Sequence, residues 1–361
     1  MRLLLAAGVL LALTGAPGGA RAGYDEEIFF QKTIPVYSIP TPPRGGMPAE
    51  TVIGQVRAYR IRKGDTLMDL ARYFSLGYNE IVEANPGIDP WVPPVGATII
   101  LPTQWVLPCC SYDGVVVNIP EMRLFFYRRA PGDPGTTIVN TFPVGLGRDD
   151  WRTPSGKFRI RGKTVNPQWN IPESIRKEHI AERGDPRTFI PGGDPDNPLG
   201  KYRIELTLPM YGIHGTNIPW GVGMQVSHGC VRLYPEDIER LSPLVPVGAA
   251  GEFAYQPVKV GVRGGAVYVE SHRDIYGYTP GVYQEATVAA QRAGVADRVD
   301  QGLLVGALED GGGGMPVRVS PENAEGSVPL RTAHLARPGE PSREVSGDRV
   351  PDTDDFQAGD D

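Results

Sequence analysis

Cysteine is scarce in this 361-residue chain. There are three, which cannot all pair within one molecule, so a disulfide framework does not stabilise the fold. Long apolar runs are missing too: the stretch from Leu3 to Leu13 falls short of the roughly 20 residues that span a bilayer. Basic patches are absent and the formal charge is -6, which excludes nucleic acid as a natural partner. That charge is local, because Gly339 to Asp361 hold eight acids against two arginines. Histidine is equally sparse at five, and this makes the position of each informative.

Two of those histidines, His214 and His228, share the stretch Tyr211 to Leu233 with Cys230 and five glycines. Reactive side chains thus lie on backbone able to turn tightly around them. A cysteine attacks as its thiolate, and near neutral pH a free thiol needs a base or cation beside it to ionise. His214 and His228 are the candidates. Gly229 leaves room for backbone amides to face a developing oxyanion. The same three residues also pose a metal alternative, with His214, His228 and Cys230 around zinc, although one distant histidine beside a His-x-Cys pair makes a poor closed set.

The order of the residues is more specific than their types. His214-Gly215-Thr216-Asn217, a nine-residue gap, then Ser227-His228-Gly229-Cys230-Val231-Arg232 resembles the signature of the L,D-transpeptidases, the cysteine enzymes that remodel bacterial peptidoglycan. Thr153-Pro154-Ser155-Gly156-Lys157-Phe158 and Asn197-Pro198-Leu199-Gly200 look like two further segments of that family, so the resemblance covers 113–260.

The N-terminus carries Arg2, the apolar run and Ala20-Arg21-Ala22, the layout of a secretory signal peptide over 1–22. Prolines at 35, 40, 42, 43 and 48 mark 23–55 as a Pro-rich linker. From 56 to 103 the pattern is strand, helix, helix, strand: Leu67, Leu70, Ala71 and Phe74 follow helical spacing, with Thr66 and Asp69 as a capping box. This βααβ unit resembles the lysin motif (LysM) in Gly64-Asp65-Thr66-Leu67, Asn85-Pro86 and Val95 to Pro102. Short β-branched and aromatic strands separated by Gly and Pro follow, predicting a mainly β, sandwich-like catalytic domain. Ile171 to Arg183 is an insertion with helical character, which the family resemblance implies would cover the cleft. Pro235 to Leu241 has the proline and first-turn acids of a helix start. A C-terminal extension (261–310) has helical alanine spacing interrupted at Gly294, and 311–361 has the composition of disorder.

The resemblance implies an exported enzyme of the periplasm or cell wall that binds peptidoglycan glycan strands and stem peptides and needs no cofactor or metal. Cys230 would attack the L-centre carbonyl of a donor tetrapeptide stem, releasing D-alanine, and pass the acyl group to an amine of another stem or of a wall-attached lipoprotein. His214 would be the base, oriented by the Gly215 carbonyl. His228, Gly229, Ser227 and Gly215 would support the site or its oxyanion, and Arg232 would bind a substrate carboxylate. The module would act as a tether that raises local concentration. Hydrolysis of the thioester by water, an amidase activity, and a purely wall-binding role are the alternatives. Cys109 and Cys110 lie outside the pattern, and an exported reactive thiol makes a periplasmic thiol reductase a further expected partner.

Overall fold

The computed structural model describes residues 24–43, 45–309 and 312–321. The expected signal peptide, and the acidic tail from 322 onward, lie outside them. Among the described residues no helix is long and apolar enough to cross a membrane.

The fold is mainly β, as expected. A nine-stranded mixed sheet runs in the order Val36–Pro40, Asp133–Pro143, Arg123–Ala130, Gly114–Asn118, Ala250–Ala254, Gly156–Val165, Tyr202–Leu206, Gly212–His214, Val231–Arg232. Gly114–Asn118 is apolar without alternation because it is covered on both faces. Val115 and Val117 join a core with Phe158, Ile204, Ile213 and, from helix Pro235–Leu244, Ile238 and Leu241. Val116 points the other way, into a core shared with Phe125, Trp105, Leu70 and Ile81. Each such side chain contributes about 1.5–3 kcal/mol by leaving water.

That second core is where the βααβ module meets the main sheet. Strands Arg57–Arg60 and Thr98–Leu101 pair antiparallel around helices Leu67–Tyr73 and Tyr78–Glu83. Thr66 caps the first helix, its hydroxyl oxygen accepting from the Asp69 amide at 3.0 Å. Asn85 ties the second helix to the closing strand: its Nδ2 donates to the Ile81 and Ile100 carbonyls and its Oδ1 accepts from the Ile100 amide.

The module is not a loosely tethered appendage. Arg123, fully buried on the main sheet, grips Glu80 of the module through Nε (3.0 Å) and a terminal nitrogen (2.7 Å), donates to the Ser75 carbonyl, and stacks on Trp105. Glu80 also accepts from Trp105 Nε1 and the Gly77 amide. Nearby, the Tyr78 amide donates to the Val222 carbonyl, and a Cβ on Gly77 would lie 2.9 Å from Gly223 Cα.

Two segments depart from expectation. The linker region contains helix Glu26–Gln31 and the edge strand Val36–Pro40, which pairs with Thr136 to Asn140. Proline is tolerated there because an edge strand has a side with no ladder to complete. Lys32 is buried between Glu236 (3.1 Å) and Asp237 (2.9 Å), pinning this segment to helix Pro235–Leu244. At the other end, the extension begins inside strand Val258–Arg263 and continues past 311: Val317–Arg318 pairs with Ala266–Ser271, and helices Val282–Arg292 and Gln301–Glu309 complete a separate small core. The break between those helices falls at Gly294, whose φ is 66°.

Since Arg123 would be left buried without its partner, removing 56–102 should destabilise the remaining chain rather than free it. Arg123→Ala, which strands Glu80 instead, should cost about 3–5 kcal/mol. Chemical denaturation of both variants checks this; a truncation that unfolds at the wild-type midpoint would show the module to be separable.

Candidate active site

Three neighbouring strands set the register of the site. Arg203, His214 and Arg232 are directly paired across them, as are Ile204, Ile213 and Val231. Paired residues share a face of a sheet and successive residues alternate faces. The three apolar residues are fully buried in the core, so Arg203, His214 and Arg232 form a row on the opposite face. Glu205 and Gly212 pair on that same face, and Cys230, one residue before Val231, continues their row. Gly212 has no side chain to fill the space between: a Cβ there would stand 3.3 Å from Arg203 Nε.

Cys230 is carried on a tight turn. The Ser227 hydroxyl donates to the Cys230 carbonyl at 2.6 Å and accepts from the Gly229 amide at 3.1 Å. Gly229 adopts φ of 100°, and any Cβ would lie 2.7 Å from a Tyr211 ring carbon. The Gly229 amide is engaged by Ser227, and both residues shape the turn. Behind it, Thr153 Oγ1 donates to the Gly229 carbonyl (2.9 Å) and accepts from Gly147 N (3.1 Å). Tyr276 closes this ring: its hydroxyl accepts from Thr153 N at 3.1 Å and donates to the Gly147 carbonyl at 2.8 Å. The flagged Thr153 segment thus braces the cysteine turn, and Tyr276 brings the C-terminal extension into that brace.

His214 is braced from the other flagged segment. Gly200, at φ 63°, packs so closely that its Cβ would lie 2.9 Å from the Thr216 amide, and Asn197 fixes the turn through the Pro167 and Pro191 carbonyls and the Leu199 amide. His214 Nδ1 stands 2.7 Å from the Gly215 carbonyl oxygen. A carbonyl only accepts, so Nδ1 holds the proton and Nε2 is left as the basic nitrogen. Burial, aided by Arg232 and Arg203, pushes the imidazole pKa down to about 3.

The thiol moves the opposite way. Burial raises the Cys230 pKa above its ordinary value, against the Gly212 amide, Arg203 and Arg232, which favour the thiolate. Its S–H donates to the Met210 carbonyl at 3.6 Å. Burial thus favours the neutral form of both partners, thiol and imidazole.

His228, expected to support the site or its oxyanion, is held by neighbours on the inserted helix and the Arg148 loop. Its Nε2 lies 2.7 Å from Glu178 Oε2 and 3.3 Å from Arg148, with Trp151 against the ring. Glu178, drawn down to about 2 by Arg148 and His228, belongs to helix Glu173–Arg183. His228 therefore fastens the inserted helix beside the cysteine turn. The zinc alternative fails on the same geometry. Among the described residues, the group of metal-capable side chains that converges is Glu121, Glu270 and His272, and the Lys259 ammonium already bridges its carboxylates at 2.7 and 2.8 Å. Cys109 and Cys110 are unpaired with each other and held elsewhere; burial pushes the Cys110 thiol up to about 12, against hydrogen bonds from the Tyr112 amide and Tyr127.

Residues 113–260 match the family model described as the L,D-transpeptidase catalytic domain, and 59–102 match that of the LysM domain. Over 302 residues, 81% of this chain and 94% of the relative, the sequence is 33% identical to the "Probable L,D-transpeptidase YbiS" of Escherichia coli K12. The chain belongs to the L,D-transpeptidase family. The "Probable L,D-transpeptidase ErfK/SrfK" of Salmonella typhimurium is 35% identical over 66% of this chain and 75% of its own length. Among solved structures, L,D-transpeptidase 3 from Mycobacterium tuberculosis aligns at 17% identity over 45% of this chain and 73% of that one, with a TM-score of 0.28, too loose to add to the assignment. The enzyme's pairing of a lysin motif with this catalytic domain implies peptidoglycan binding and association with the wall.

Arg203, Thr153, Glu178 and Tyr276 escaped attention as individual site residues. For Arg203 a signal existed, namely a charged residue next to a fully apolar position in the strand two before the motif.

Two measurements probe this geometry. Alkylation of Cys230 by iodoacetamide should accelerate steadily from pH 6 to pH 9, as expected for a thiol that must lose its proton; a rate already flat at pH 6 would mean a standing thiolate. Tyr276→Phe deletes one hydroxyl with two buried partners and should lower stability by about 1–3 kcal/mol, read from thermal melting, with a parallel loss of Cys230 alkylation rate.

Proposed function

We propose that the mature protein is an exported peptidoglycan L,D-transpeptidase acting through Cys230 and His214. Nε2 of His214 takes the thiol proton as the sulfur attacks the carbonyl at the L-centre of the diamino acid in a tetrapeptide stem. The C–N bond to the terminal D-alanine breaks, and the proton on His214 passes to the leaving amine. An amine of a second stem, or of a wall-attached lipoprotein, then resolves the thioester, with His214 accepting its proton. Arg232 holds the carboxylate of the departing residue, to which a guanidinium is suited by shape as well as charge. No acidic third member is needed, since the Gly215 carbonyl fixes the ring.

The observation that carries this is the pairing of a neutral, correctly protonated imidazole with a turn-mounted thiol on one face of three registered strands. The signal-peptide pattern over 1–22 supports export, and the docked lysin motif fits an enzyme that works on a polymer.

Mass spectrometry of the intact protein with defined stems provides the test. A tetrapeptide should add to the wild type at Cys230 with loss of alanine, and Cys230→Ala should form no adduct while melting at a similar temperature. His214→Ala should lose nearly as much, because base and nucleophile act as a unit. A pentapeptide ending in two D-alanines should acylate poorly. Equal acylation by both stems, or an adduct that survives loss of Cys230, would overturn the proposal. Adding an amine acceptor separates transfer from hydrolysis: a cross-linked product supports the transpeptidase, a tripeptide alone a carboxypeptidase.

A further inference from the structure

A cleft of about 270 Å³ opens where three parts of the chain meet. Helix Tyr78–Glu83 of the module forms one wall, Pro120, Met122 and the loop 223–225 of the catalytic domain a second, and Arg273 and Ile275 of the extension a third. A single ordered water takes up about 10–15 Å³ of such space, so this is far more than a hydration site. The walls are fixed without an occupant. The Tyr78 amide donates to the Val222 carbonyl, the Gly223 amide to the Val144 carbonyl, and at Gly223, with φ of 84°, a Cβ would lie 2.3 Å from Tyr78 N. Such pre-formed concavities are where ligands bind.

The lining combines carbon surface with polar groups whose hydrogen-bonding capacity is unused. Val82, Met122, Ile275 and the Tyr78 ring supply the carbon. Asn79 donates from Nδ2 to the Glu121 carbonyl at 3.2 Å, while its Oδ1 is enclosed without a partner. Among the described residues, the side chains of Glu83, Gln225 and Arg273 make no hydrogen bond or ion pair. Single enclosed atoms without partners occur elsewhere, at Arg57 and Arg128 for example. Here four polar side chains with spare capacity converge on one void. Met122 also holds a φ of 55°, a left-handed backbone that non-glycine residues adopt at a cost and that concentrates at ligand sites.

The charges identify the ligand by what they exclude. Glu83 repels an anion and Arg273 a cation, and burial already pushes the Glu83 carboxyl up against the pull of His272 and Arg273. A neutral ligand whose polar groups both donate and accept satisfies the carboxylate, the guanidinium and two amides together. Hydroxyls do so, and a pyranose ring sets them around apolar C–H faces that match the carbon surface. We propose that this cleft is a saccharide subsite, created by the docking of the module on the catalytic domain and the extension, and that it takes an uncharged sugar residue of the glycan strand. The choice of glycan rests on the peptidoglycan reading above. Gln225 opens the strand Gln225–Ser227 that leads into the cysteine turn. A sugar held there anchors the strand beside the catalytic domain itself, so that stems hung from it are delivered in register rather than merely concentrated nearby.

Hydroxyl-radical oxidation of the methionines in the full mature chain tests this, with the uncharged N-acetylglucosamine tetramer and the free tetrapeptide stem as separate probes. The tetramer should protect Met224, which lines the cleft, and leave Met210, 74% exposed and outside the lining, as reactive as before. Gln225→Ala and Arg273→Ala, both outside the lysin motif, should each weaken tetramer binding in calorimetry about 5-fold, the worth of one hydrogen bond. Their melting temperatures should match the wild type, which separates loss of a ligand contact from loss of packing. Protection of Met224 by the stem in place of the tetramer, or tetramer binding that both substitutions leave intact, overturns the inference. The result is separable from acylation of Cys230. A chain acylated by the tetrapeptide but unprotected by the tetramer keeps the transpeptidase reading and loses the subsite; one protected by the tetramer but acylated by no donor keeps the subsite and loses that reading.

Discussion

The site depends on one constraint, the register of Tyr202–Leu206, Gly212–His214 and Val231–Arg232. A shift of one residue would exchange the two faces, driving Arg203, His214 and Arg232 into the core and exposing Ile204, Ile213 and Val231. Burial of those three apolar residues is therefore what aims the imidazole and both guanidiniums. Catalytic geometry and core packing are specified by the same alternation. Gly212 follows from it too, since a side chain at that point of the row would fill the space between Arg203 and the thiol.

The second dependency is the way the cysteine turn is hung. Ser227 closes it from inside, Thr153 holds it from behind, and Tyr276 holds Thr153. Tyr276 is itself set by neighbours from both the catalytic domain and the extension: its amide donates to Tyr255 Oη, Tyr255 donates to Asp274, and Arg152 lies across the Tyr276 and Tyr278 rings. A segment whose role could not be named from its sequence is therefore part of the support of the nucleophile.

Much of this was legible in the residues, and the limits are physical. The nucleophile, the base, the Gly215 carbonyl and the βααβ module follow from short-range patterns, where residue type and spacing suffice. What the sequence concealed were pairings across long separations. Glu178 with His228, Thr153 with Tyr276 and Glu80 with Arg123 join residues 43 to 123 positions apart, and no local pattern encodes them. The linker misled for a related reason: proline density argues against a central strand but is compatible with an edge strand, and Lys32 gains two buried carboxylates only once helix Pro235–Leu244 is beside it. The bond from the Gly229 amide to Ser227 was hidden as well, since only the folded turn brings that hydroxyl onto it.

Electrostatics then decide how the resting enzyme behaves. The cations around Cys230 favour a thiolate, but enclosure of the sulfur outweighs them, and the same cations together with burial keep His214 unprotonated. A thiol's susceptibility to oxidation tracks its thiolate character, so the burial that raises the Cys230 pKa also works against oxidation of the sulfur. The cost is that ionisation has to be driven within the complex. It can be, because sulfur, imidazole and both guanidiniums occupy one rigid face. Charge brought by the substrate acts there at short range and in a medium of low polarity, where a compensating carboxylate counts for more than it would in water.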